Sequence, residues 1–487
     1  MRKLNEKSVV KPHHPVRVLQ FGEGNFLRAF VDWMLDISNE KGVTDASVAV
    51  VSPRFRENDG IRRLREQDCL YHVWLEGIQG GEVKSVSRLV TSVADAFSPA
   101  SDFGRYESYI LSPDLRFVVS NTTEAGIVYA EDDIFSETPA TFPGKVASML
   151  YRRYLHFDGD RSRGLIFLCC ELIEDNGSRL KEFVMRHARA ASLEQEFLDW
   201  IEDACIFCDT LVDRIVPGYP ADTIGEIQKE LDFEDSMVVK GELYHVWAIG
   251  GRDYEKVRRE LPLDKAGLNV LFLPSVKSFR DKKVRILNGS HTGMVPIALQ
   301  LGCETVLEAF GDSMVNEFVT SMVEREVLPT IDEDPVELKH FADGILERFY
   351  NPYIRHMLRS ISLNSLSKWE ARNFPTVRDL WTRQGRLADF ALFSFAALMA
   401  LYSPASGFSP DDNACHIATL RKAWEQHPAD YEAVVRQILD DGVFSENFEA
   451  VVPDFAAGVA KHLKAIVEEG MRKALAGFLK EHNPGQA

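Results

Sequence analysis

Apolar positions follow two periods along this chain, and the period changes once. Up to about residue 273, short β-rich runs alternate with helical patterns. Val16–Phe21 (VRVLQF), Ser47–Ser52 (SVAVVS), Arg116–Ser120 (RFVVS) and Gly164–Cys169 (GLIFLC) predict strands, as do Leu70–Leu75, Val83–Val90 and Leu268–Leu273. SVAVVS and GLIFLC lack polar/apolar alternation, which suits strands of a parallel sheet covered on both faces. Between the first two runs Phe26, Phe30, Trp33, Met34 and Ile37 recur at helical intervals. Strands separated by helical patterns predict βαβ units and a mostly parallel sheet. Beyond Phe279 the period is helical almost throughout, so a boundary falls within Pro274–Arg280. The expected fold class is α/β: a nucleotide-type domain over residues 1–276, then an all-helical domain over 277–487.

Composition narrows the function classes. With 45% hydrophobic and 27% charged residues the chain can build large cores, which excludes disorder as its main character. Its 74 acidic and 56 basic residues give a net charge of −18, which repels a phosphate backbone and argues against nucleic acid as a partner. The longest apolar run, Phe390–Tyr402, is shorter than the ~20 residues that cross a bilayer and predicts a buried helix, not a membrane anchor. Met1–Pro15 is polar and predicts no signal peptide. Seven cysteines, an odd and sparse count, predict reduced thiols in a cytoplasm. Cys205 and Cys208 form one isolated C-x-x-C, expected to be two buried thiols a helical turn apart. Nothing in the pattern specifies an oligomer.

Three segments carry candidate chemistry. Gly22-Glu23-Gly24-Asn25-Phe26-Leu27-Arg28 follows the first strand and opens a helix. Glycines two apart let backbone turn sharply and approach a pyrophosphate at a helix N-terminus, although the third glycine of the usual fingerprint is missing and a structural turn fits too. The second strand ends in Ser52-Pro53-Arg54 where NAD binders usually carry an acid, which leaves NAD and NADP both open. Asn121-Thr122-Thr123-Glu124 follows RFVVS and reads equally as a helix cap and as a cofactor contact in the ligand crevice.

The third is Lys283-Val-Arg-Ile-Leu-Asn288-Gly-Ser-His291-Thr292. On an α-helix, at about 100° per residue, Asn288 lies about 140° and His291 about 80° from Lys283, so the three share one side. A desolvated lysine moves protons, an asparagine amide polarises a carbonyl oxygen, and a histidine positions the ammonium. The alternative is a solvated lysine beside a satisfied histidine, and Pro296 argues that the helix begins only after His291.

Taken together, FGEGNFLRAF, VVSNTTEAG, CELIEDNG, LVDRIVPGYP and KVRILNGSHT resemble the polyol-specific long-chain dehydrogenase/reductase family, which holds mannitol dehydrogenases and hexuronate reductases. The similarity runs from about Val16 to Arg472. It implies a Rossmann-type N-terminal domain, a helical C-terminal domain and metal-independent hydride transfer with NAD in the cleft between them. It also implies Lys283 as acid/base, Asn288 as oxyanion donor, His291 as its orienting partner, and Asp213 and Lys368 as substrate contacts. Gly22, Gly24, Asn25, Phe26, Arg28, Asn121, Thr123 and Glu124 are the expected cofactor residues. Mannitol-type members carry Cys-Asp-Asn where this chain has Cys170-Glu171-Leu172, so a second oxyanion donor is missing at Leu172. That departure resembles the uronate branch and implies a small anionic sugar acid, D-tagaturonate first and D-fructuronate as the alternative, with a neutral polyol further off. Lys368, Arg359, Arg355 and Arg348 are then candidates for meeting its carboxylate. An NAD-retaining epimerase or sensor is the reading from another class, against which the intact Lys283, Asn288 and His291 argue.

Overall fold

A computed structural model describes residues 1–79, 82–122, 126–353 and 355–482. The chain divides into two compact units, one of Met1–Gly77 and Val83–Ser278, the other of Phe279–Ala487 with Ile78–Glu82.

The first unit is built on an eight-stranded sheet: β1 (Val16–Phe21), β2 (Ser47–Val51), β3 (Val93–Phe97), β4 (Phe117–Ser120), β5 (Ile166–Cys169), β6 (Ile206–Asp213), β7 (Val246–Gly250) and β8 (Val270–Leu273). Its order is β8-β7-β6-β5-β4-β1-β2-β3. Strands β1 to β6 are parallel in the 3-2-1-4-5-6 arrangement of a doubly wound dinucleotide fold. β7 then runs antiparallel to β6, with β8 parallel to β7. Successive residues face opposite cores, as the two-residue period of a strand requires. Val18, Val48, Val50, Phe117 and Val119 join one apolar cluster, while Leu19, Ala49, Val51 and Val118 join another under the helices Phe142–His156 and Asn176–Ala190. The mostly parallel sheet expected from sequence is thus present.

Four details differ from the expected pattern. Tyr71–Gln79 and Glu82–Val90 are strands, but they belong to a separate three-stranded sheet completed by Val239–Glu242. β3, β6 and β7 are additional to the predicted strands. Cys205 and Cys208 are both buried, but they straddle the start of β6 and lie in opposite cores, so they are not a helical turn apart. Pro296 sits inside a helix, Gly289–Gln300, that continues from Lys277 without a break.

From Phe279 onward the described residues form helices and no named strand. Their core centres on Asp389–Leu401, whose Phe390–Leu401 are all buried, as the apolar run predicts. Phe455–Glu469 and Gly289–Gln300 pack against it. Among the described residues no helix is long and apolar enough to cross a membrane.

Candidate active site

In the first unit the parallel strands end their carboxyl edges at a loop shaped for close approach. β1 runs into Gly22, at φ +134°, where a Cβ would lie 3.2 Å from Leu27 Cδ1 and 3.4 Å from the Asn121 carbonyl oxygen. Its N–H donates to the Val51 carbonyl at 3.1 Å, and the Asn121 N–H donates to Phe21 at 3.2 Å. The loop therefore sits at the switch point between β1 and β4, where open α/β sheets bind ligands. Gly24 caps the following helix with nothing within 4 Å of its Cβ position, and both Gly24 and Asn25 are exposed. A phosphate can reach backbone N–H groups there, so the residues present fit a dinucleotide.

Not every predicted residue faces that opening. The Arg28 guanidinium is buried and donates to the Glu23 carbonyl (3.2 Å), the Met237 carbonyl (2.6 Å) and Asn25 Oδ1 (2.7 Å). It holds the loop from behind. Phe26 is half-buried and stacks on Phe30, ring centroids 4.8 Å apart. Asn121 turns its amide nitrogen toward the Cys170 carbonyl at 3.3 Å. Thr123 and Glu124 lie outside the described residues. Asp213 closes β6, paired with Val246.

Two acids to which the sequence motifs assign no role shape this edge. Glu171 is buried and accepts from Ser120 Oγ (3.1 Å), Thr122 N–H (2.9 Å) and Thr122 Oγ1 (2.9 Å), fixing the loop after β4. Beside it Leu172, at the missing asparagine position, is 67% exposed. Glu23, the middle residue of G-x-G, accepts from Asn58 Nδ2 at 2.9 Å, and the same nitrogen reaches Ser52 Oγ at 3.2 Å. Its other oxygen is buried with no partner among the described residues, and burial raises its pKa. A carboxylate from the glycine loop thus stands beside the end of β2, joined to Ser52 through Asn58.

In the second unit the candidate catalytic residues share one continuous helix. Lys277–Lys283 passes through a π turn, Val284–Asn288, into Gly289–Gln300, and Gly289 N–H reaches back five residues to the Val284 carbonyl. A π turn stacks residues five apart, so Lys283 and Asn288 come nearer to one line than the ~140° of a regular helix. Ile286 and Leu287 are buried and anchor the turn in the core. The Asn288 amide makes no hydrogen bond among the described residues, and it is half-exposed. The His291 ring stacks on Phe349 at 4.4 Å and meets His356 edge-on at 5.1 Å, and its Nε2 is buried with no hydrogen-bond partner among the described residues. Burial, reinforced by His356, Arg348 and Arg372, drives its pKa well below 6.5, so the ring is neutral at physiological pH.

Lys368 lies on the helix Ser365–Arg372, its ammonium donating to the Ile361 carbonyl at 3.0 Å. Burial and then Arg372 lower its pKa. Among the described residues no group of three His, Cys, Asp or Glu side chains could hold a metal ion.

Residues 16–263 match the mannitol dehydrogenase Rossmann domain and residues 275–467 the mannitol dehydrogenase C-terminal domain. The chain belongs to the mannitol dehydrogenase family and is an oxidoreductase. More particularly, it is 40% identical over 479 residues to the altronate oxidoreductase of Bacillus subtilis, covering 98% of each chain. It is 39% identical to that of Cronobacter sakazakii, covering 98% of this chain and 99% of the other. Among solved structures it resembles a substrate-free D-sorbitol dehydrogenase (TM-score 0.80, 21% identity, 98% and 100% covered). It also resembles Pseudomonas fluorescens mannitol 2-dehydrogenase in a ternary complex with NAD and D-mannitol (TM-score 0.67, 21% identity, 98% and 99% covered).

Proposed function

We propose that this enzyme interconverts D-tagaturonate and D-altronate with NADH and NAD. The observation that carries the reading is the Lys283, Asn288, His291 set on one helix, in a chain about 40% identical to altronate oxidoreductases along nearly its whole length.

When bound, the nicotinamide cofactor would supply hydride as NADH and accept it as NAD⁺; the chain's residues manage the proton and the charge. In the reducing direction the Lys283 ammonium donates a proton to the oxygen developing on the former carbonyl. The Asn288 amide, with no competing bond among the described residues, donates to that oxygen and stabilises its charge as it forms. His291, neutral and with no partner at Nε2 among the described residues, offers Lys283 a partner that adds no positive charge. In the oxidising direction the neutral Lys283 amine takes the hydroxyl proton. Asp213 and Lys368 act as substrate contacts. Gly22, Gly24 and Asn25 cradle the pyrophosphate. The Glu23 carboxylate favours a ribose diol and repels a 2′-phosphate, which supports NAD over NADP. Seven unpaired cysteines, five of them buried, support a reducing cytoplasm as the site of action.

The test is NADH consumption with D-tagaturonate, D-fructuronate and D-fructose offered separately, each repeated with NADPH. D-Tagaturonate with NADH should be turned over fastest. Preference for D-fructuronate would keep the chemistry and change the substrate's configuration, and no turnover of either uronate by folded protein would defeat the reading.

A further inference from the structure

The second unit sorts its cations by what they touch. Lys282 pairs with Glu333, and Arg285 with Asp379 at 2.6 Å. Arg355, among the expected carboxylate contacts, is 78% exposed beside Glu304. Arg359, another, donates to the Ser409 carbonyl at 3.0 Å and lies over the Phe408 ring at 4.2 Å. Arg372 differs from all of these. It is half-buried, its one side-chain hydrogen bond among the described residues joins Nη1 to Thr292 Oγ1 at 3.1 Å, and no described carboxylate pairs with it. A guanidinium carries five donors and stays charged, so one kept partly out of water with donors to spare is costly unless an anion arrives.

Its place is set from both sides. Thr292 follows Asn288 by four residues, which puts it on the same helix face about 6 Å further along. The Asn373 amide donates to the Gly289 carbonyl at 3.1 Å, fixing the end of the Arg372 helix against that face. Lys368 precedes Arg372 by four residues and shares its side of the helix. The Arg372 guanidinium therefore stands one turn beyond the Asn288 amide, with Lys368, bonded to the Ile361 carbonyl, one turn before it on its own helix. A six-carbon keto-uronate carries its carboxylate at the far end from the reacting carbonyl, and its chain bridges such a distance.

Resting on the function proposed above, we infer that Arg372, held by Thr292 and flanked by Lys368, receives the substrate carboxylate and selects a sugar acid over a neutral polyol. Planar guanidinium and carboxylate match in a two-bond fork, a geometry that Lys368 cannot supply alone. No spacing signal reveals this residue, because Thr292 is 80 positions away in the chain.

The experiment compares wild type with Arg372→Met, Arg372→Lys and Thr292→Val, using D-tagaturonate and the neutral ketose D-fructose, with NADH affinity measured by fluorescence. Arg372→Met should raise the D-tagaturonate KM by about 100-fold while kcat falls less than about 10-fold. Arg372→Lys should recover part of the loss, and Thr292→Val should raise KM by about 10-fold with the arginine intact. NADH affinity and any D-fructose turnover should not fall in any variant. If wild type reduces D-tagaturonate and all three variants keep its KM within about 3-fold, the carboxylate binds elsewhere and only this assignment fails. If wild type reduces D-fructose but no uronate, the proposed function fails and this assignment with it.

Discussion

Two helices of this enzyme contain the same backbone irregularity and use it in opposite ways. The helix after the glycine loop carries a π turn at Arg28–Asp32, and the helix bearing Lys283 carries one at Val284–Asn288. In the first, all five residues are buried and the charged ones bond inward: Arg28 to three acceptors, and Asp32, through Oδ2 alone, to Tyr71 Oη (3.0 Å) and Gln20 Nε2 (3.3 Å), its Oδ1 buried without a partner among the described residues. In the second, neither the side-chain amide of the last residue, Asn288, nor His291 Nε2 one turn on has a hydrogen bond among the described residues. A π turn aims side chains that a regular helix would spread. What separates scaffold from site here is access: Arg28–Asp32 are closed off in the core, whereas Asn288 is half-exposed.

Exchanging the closing residue of each turn sharpens the contrast. Asn288→Ala should lower kcat by about 100-fold or more, the range for losing one oxyanion donor. It should leave the melting temperature equal or higher, because no described bond is lost and alanine favours helix. A loss of stability with kcat retained would reverse the assignment, and thermal melts beside steady-state kinetics decide it.

Asp32→Asn should do the converse. Burial raises the Asp32 pKa from 3.8 to about 7, with Tyr71, Gln20 and Arg28 opposing the rise. The folded state therefore holds this proton more tightly than the unfolded chain, and stability declines as pH rises from about 4 to about 7. The amide mimics the protonated acid and removes that decline. Its advantage over wild type should grow across this window to at most about 4 kcal/mol and stay level above it, with kcat within about twofold. Denaturant titrations at pH 4.5, 6 and 8 read the trend, and a gain that shrinks with pH would contradict it.

What was legible in the sequence follows the same division. β2 and β5 stand out because a parallel strand buried on both faces is a near-continuous apolar run, and β1 and β4 because their short β-rich runs end at turn residues. β6, by contrast, alternates buried and half-buried residues through Cys, Asp and Thr, and its C-x-x-C invited a helical reading. Tyr71–Gln79 reads as a strand, but no local pattern says which sheet it joins. Lys283, Asn288 and His291 were visible as a motif, whereas their alignment depends on a π turn with no sequence signature and on a helix that absorbs Pro296. Glu23, Glu171 and Arg372 became informative only through partners brought together by the fold, such as Asn58, Thr122 and Thr292.

The central claim is that Lys283 carries the proton for reduction of a keto-uronate. Its most direct test is single-turnover NADH oxidation by Lys283→Ala with D-tagaturonate, set beside wild type and with NADH binding measured on the same samples. The account predicts that the variant binds NADH as wild type does while the chemical step slows by about 10³-fold or more. A variant that binds NADH and reduces D-tagaturonate at the wild-type rate would contradict it.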